Sequence, residues 1–180
     1  MVFFLFVDPL ALDSQAKHST TWTPAIYRGI IVGQSTRGDV VKILGKPKWI
    51  GKEQDTGLPM VNYSVSRPIV GTLVIYLHQD KVDGMVLTPD RPYTKREITH
   101  VLGANYTLVR YETDDCLGEG GASPIYESRD GPIVHLEYRD RGLAVVLKDD
   151  QVEAIAFVNK RFGPTHSRCG SLLGKPRGHP

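Results

Sequence analysis

The chain writes one short helical phrase twice. "STRGDVVKILGKP" runs from Ser35 to Pro47, and "YTKREITHVLGAN" runs from Tyr93 to Asn105. Thr36 precedes Asp39, and Thr94 precedes Glu97, at the same spacing. The second pair is a T-x-x-E capping box: the threonine oxygen accepts from an early backbone N–H while the glutamate reaches back to the cap. Asp39 is shorter and predicts a poorer version. Val40, Ile43 and Leu44, then Ile98, Val101 and Leu102, fall at i, i+3, i+4, so each helix is expected to press these side chains onto one surface. Gly45 and Gly103 stand where a helix closes on a left-handed residue. Helices this short do not hold alone, since about 12–15 residues are already marginal in water. Something must cover the apolar face.

The cover follows in sequence. Thr72 to Leu87 reads as two strands joined at Gln79-Asp80, and Leu143 to Val158 reads the same way around Asp149-Asp150. Aligning Leu73 with Leu143 matches Ile75 with Val145, Leu77 with Leu147, Val82 with Val152 and Met85 with Ile155. Further strands are expected at Lys48–Lys52 and Met60–Val65, with counterparts at Tyr106–Tyr111 and Ile133–Arg139. The second set is longer, chiefly through "DDCLGEGGASP", Asp114 to Pro124, which is expected as a surface loop. The fold class predicted is α+β: two tandem repeats, each a short helix or helix pair packed on a three- to four-stranded antiparallel meander sheet. The boundaries predicted are a poorly ordered lead over 1–24, repeats over 25–88 and 89–160, and a flexible tail over 161–180. Two such units sharing a sheet edge, or packing end to end, would pool burial that neither supplies alone.

Charge and composition remove several function classes. The formal net charge is +2, and no basic patch interleaves with aromatics, so no nucleic-acid partner is expected. No apolar run approaches the ~20 residues of a membrane-spanning helix. The apolar start, Val2 to Val7, lacks a basic n-region and is interrupted at Asp8-Pro9. Two readings stand: the remnant of a signal peptide, which would make the protein periplasmic or secreted, and a sticky first strand or unstructured end. Cys116 and Cys169 allow one loop-to-tail disulfide or two free thiols, and oligomeric state is equally open.

Chemistry-bearing motifs are scarce. The histidines form no H-E-x-x-H and share no zinc-type spacing with cysteine, so neither metal nor cofactor is expected. No Walker loop, G-x-S-x-G or G-x-G-x-x-G after a strand occurs, and "GEGGA", Gly118 to Ala122, opens no helix. The chain therefore reads as noncatalytic. What remains is surface. If Leu73, Ile75 and Leu77 face the helix, Val74, Tyr76 and His78 face away. The same alternation turns out Ala144, Val146 and Lys148, beside His135, Glu137 and Arg139. Such a face suits recognition of a protein, and it also suits an ordinary half-polar surface. Two other classes compete: an enzyme or ligand-binding domain in a cleft between the repeats, using His135, Glu137 or His100, and a subunit whose open sheet pairs with itself.

The stretch Ile30–Pro47 resembles the SmpA/OmlA domain of outer-membrane assembly lipoproteins, through Gly33, Ser35, Asp39, Val40, Leu44, Gly45 and Pro47. The second phrase retains Thr94, Glu97, Ile98, Leu102 and Gly103, with Asn105 in the place of the proline. A tandem of such units is similar in arrangement to the β-lactamase inhibitor protein fold. The resemblance implies a noncatalytic, protein-binding module of the bacterial cell envelope, its partner unidentified. The matching residues are caps and core, and fold alone does not fix function.

Overall fold

The computed structural model describes residues 21–54, 56–111 and 133–160. The expectations for the 114–124 loop, for Cys116 and Cys169, for the chain before residue 21 and for the 161–180 tail lie outside them. The described elements run β1 (Ile26–Tyr27), β2 (Ile30–Ile31), α1 (Arg37–Leu44), β3 (Trp49–Lys52), β4 (Pro59–Val65), β5 (Gly71–His78) and β6 (Lys81–Pro89). They continue with α2 (Lys95–Leu102), β7 (Thr107–Tyr111), β8 (Ile133–Tyr138), a 3₁₀ turn at Arg139–Arg141, β9 (Leu143–Lys148) and β10 (Gln151–Phe157). β1 and β2 form a hairpin that the strand reading did not anticipate. The other eight strands make one antiparallel sheet in the order β3-β4-β5-β6-β10-β9-β8-β7.

This corrects the expected pair of helix-plus-meander repeats. β6 and β10, assigned to different repeats, are hydrogen-bonded neighbours, with Met85 opposite Phe157, Val86 opposite Ala156 and Leu87 opposite Ile155. Among the described residues the fold is therefore mostly β, a continuous eight-stranded sheet with two short helices. The physical reason is the strand edge. A meander ends on a row of unpaired backbone groups, and joining the last strand of each set satisfies both rows at once. The helices correspondingly cover less than expected. Val40, Ile98 and Leu102 are buried, whereas Ile43 and Val101 are 37% and 47% exposed. Ala25, Tyr27, Ile30 and Val32, from β1, β2 and their flanks, supply the missing cover and join the core.

Local chemistry positions each helix. Both capping boxes close: Thr36 N donates to Asp39 Oδ2 at 2.8 Å, and Thr94 N to Glu97 Oε2 at 2.8 Å. In return Asp39 N and Glu97 N each donate to the cap threonine at 3.2 Å. The shorter aspartate thus caps as well as the glutamate. Gly45 and Gly103 take φ of 83° and 90°, a region that disfavours any side chain. Beyond them Tyr63 Oη donates to Gly45 O at 3.2 Å and Tyr138 Oη to Gly103 O at 2.8 Å, anchoring the helix ends to the sheet. Burial pushes the Tyr138 hydroxyl up to about 12, with the neighbouring Tyr106 adding to the rise and Arg141 opposing it.

The hairpins hold the helix starts. Gln79, Asp80, Asp149 and Asp150 all have positive φ, as a tight two-residue hairpin turn requires. Asp80 O accepts from Arg37 N at 3.1 Å, and Asp150 O from Lys95 N at 3.0 Å, so each turn satisfies an otherwise orphaned helix amide. The segment before β1 crosses the opposite flank. Thr23 N donates to Arg139 O at 2.8 Å, and Ala25 N to Val158 O at 2.9 Å. Gly142 permits that crossing, because a Cβ there would lie 2.3 Å from Thr23 O. Thr23, itself exposed, is thereby tied to the 3₁₀ turn. The core lies on this one side of the sheet. Tyr63, Leu73, Leu87, Ile155, Val145 and Leu136 follow one another across the register and belong to it.

Candidate functional site

Alternation sends the remaining side chains to the far side of the sheet. One continuous row there reads Trp49, Asn62, Val74, Val86, Ala156, Ala144, Glu137 and Thr107, from edge to edge. A neighbouring row on the first flank holds Gly51, Met60, Tyr76 and Gly84. The two flanks of this face differ in exposure. On β3–β6, Met60, Asn62, Val74, Tyr76 and Val86 are half-buried, and Trp49 is 46% exposed. On β8–β10, His135, Glu137, Ala144, Val146 and Ala156 are all at 1% or less.

The sequence-derived face therefore separates into two parts. Val74 and Tyr76 are half-buried and His78 is exposed on the first flank. His135, Glu137 and Val146 are buried, which corrects their assignment to an open surface. Alternation chose their side of the sheet correctly, but what lies over a strand decides exposure. Arg139 approaches buried Glu137 with Nε at 2.9 Å and Nη2 at 2.8 Å from the same carboxylate oxygen. Lys148 is half-buried and lines a cavity of about 430 Å³ with Pro89, Asp90, Arg91, Pro92, Asp149 and the start of β10. His100 is exposed on α2, on the core side, away from His135 and Glu137 on the far side. His100 is thus not brought together with His135 and Glu137, which share one side of β8. Among the described residues no group of three or more His, Cys, Asp or Glu is placed to hold a metal ion.

The first flank gains residues that sequence reasoning passed over. Trp49 and Met60 lie on strands that were expected, yet their facing was not carried outward along the meander from Tyr76. Doing so places both on the Tyr76 side. Gly51 explains how the tryptophan lies: a Cβ there would stand 1.9 Å from Trp49 Cη2, so the indole rests over the glycine. Between Trp49 and Val74 sits Asn62, whose Oδ1 is buried with no hydrogen-bond partner among the described residues. Burial pushes the Tyr76 hydroxyl above its usual value, and the Glu53 carboxylate pushes it the same way. Tyr76 is accordingly a neutral donor throughout the physiological range. The site is an amphipathic patch: an indole, a thioether, a phenol and two valines around one amide.

No family model matches this chain, and no curated protein matches it. Among solved structures, the chain is similar to the crystal structure of a DUF4309 family protein, YjgB, from Bacillus subtilis subsp. subtilis str. 168. The TM-score is 0.45 at 14% identity, covering 74% of this chain and 84% of that chain.

Proposed function

We propose that the protein is a noncatalytic module that docks another protein on the β3–β6 half of its far sheet face. One observation carries this reading: Trp49 stands 46% exposed on the same side as the half-buried Met60, Val74, Tyr76 and Val86. Tryptophan, tyrosine and methionine are the residues that interface centres enrich, because each buries much surface with few polar demands. A large exposed aromatic beside apolar neighbours is costly in water and is relieved by a partner. The resemblance in Ile30–Pro47 adds the bacterial envelope as the compartment in which that partner is sought.

The test is a pair of substitutions read two ways. Val74→Glu and Tyr76→Glu in the natural host should abolish capture of the crosslinked partner while moving the thermal midpoint of the purified protein little. Capture that survives both would remove this face from the account.

A further inference from the structure

Among the described residues the same flank ends in an unpaired strand edge, β3. Glu53 N donates to Leu58 O at 2.8 Å, and the register then alternates through Gly51–Met60 and Trp49–Asn62. Those pairs turn their backbone groups inward, so the N–H and C=O of Ile50 and Lys52 point outward. Pro59, which has no N–H, sits opposite Lys52, where none is needed. Ile50 is 55% exposed on this edge beside Trp49. The stretch Lys46–Lys52 contains three exposed lysines and no acid, and none of the three is ion-paired among the described residues.

We infer that β3 recruits an extended, acidic segment of a partner protein as a ninth strand. This deepens the docking face proposed above and rests on it. The outward amides and carbonyls of Ile50 and Lys52 supply a ladder that an added strand completes. The lysines select its sign, since cross-strand neighbours of opposite charge attract and like charges repel. That same rule disfavours a second copy of this chain, which would set lysines against lysines across the new pair. Alternate side chains of the added strand would fall beside Trp49 and extend the apolar patch.

The probe is a fluorescein-labelled peptide of about six residues, the common strand length, alternating valine with glutamate. A control peptide carries lysine in place of glutamate, and another carries N-methyl groups on alternate amides. The acidic peptide should raise fluorescence anisotropy and slow amide exchange at Ile50 and Lys52 by about tenfold or more. Ile50→Pro should abolish both effects, and Lys48→Glu with Lys52→Glu should weaken binding about tenfold. The N-methylated peptide tests the ladder without altering the protein, and it should not bind. Equal binding of the acidic and lysine peptides, or protection at other amides, overturns the inference. So does self-association through β3, or uptake of anionic phosphatidylglycerol vesicles with the peptide left free. Partner capture that is lost in Tyr76→Glu but kept in Ile50→Pro retains the face and rejects the strand. The reverse result retains the strand and rejects the face.

Discussion

Val74 on β5 and Ala144 on β9 belong to one row on one side of one sheet, yet they live in different surroundings. Val74 is half-buried among Asn62, Tyr76 and Val86, whereas Ala144 is sealed beside Glu137, Val146 and Ala156. The two flanks share the helix cap, the helix-to-turn bond and the tyrosine anchor, so the core side treats them alike. Only the far side separates them. The lesson is that strand alternation assigns a side, while the layer above assigns exposure. Among the described residues, the far-side chains of β3–β6 keep partial exposure where those of β8–β10 do not.

The largest expected effect comes from placing a charge on the sealed flank. Val146→Asp should cost about 3–5 kcal/mol in urea unfolding, because an unpaired carboxylate would be withdrawn from water. Val74→Asp, on the same side of the open flank, should cost about 1 kcal/mol or less. Similar losses at both positions would erase the distinction between the flanks. Next in size is Glu137→Gln, which leaves Arg139 facing a neutral amide in a buried setting. A loss of roughly 3 kcal/mol is expected, with a smaller one when Arg139 is replaced as well.

Smaller effects sharpen what the flanks share. Thr36→Ala and Thr94→Ala should each remove about 1 kcal/mol, and near-equal values would show that the aspartate box matches the glutamate box. Gly51→Ala, whose Cβ would collide with the indole, should swing Trp49 outward. A red-shifted tryptophan emission with less than about 1 kcal/mol of destabilisation is the expected reading, since the ring moves into solvent.

The smallest effect is a pH dependence. The carboxyls of Asp39 and Glu97 are held below the ordinary carboxylate range, first by the backbone amide of the cap threonine and then by its hydroxyl. A lowered folded value means their contribution is complete above the unfolded value, about pH 4, and is lost as pH falls through the lowered one. Acidification should therefore reduce the thermal midpoint, and Asp39→Asn combined with Glu97→Gln should flatten that slope. Asp39 is exposed and the Glu97 side chain partly so, so solvent screens the effect.

Much of the local structure was legible because it is written locally. Thr36 with Asp39, Thr94 with Glu97 and the closing glycines mark both helices. The Gln79-Asp80 and Asp149-Asp150 turns mark both long hairpins. Each signal sits within a few residues of what it determines. The pairing of β6 with β10 was not legible, since nothing in Met85–Leu87 names Ile155–Phe157 as its neighbour. The β1–β2 hairpin was too short to show a period. For the site, alternation correctly chose the side of Val74, Tyr76 and Val146, but their unequal burial is not written in the strand pattern. Trp49 was hidden by the brevity of β3, four residues in which facing is set by the neighbouring strand.

The central claim is that partners meet the β3–β6 flank of the far face. A photoreactive phenylalanine analogue placed singly at position 74, at position 49 or at position 101 tests it directly in the natural host. Position 101 is the control, since Val101 is 47% exposed on α2 at the core side. One partner protein should crosslink from positions 74 and 49 and be absent from position 101. Adducts from position 101 alone would contradict it.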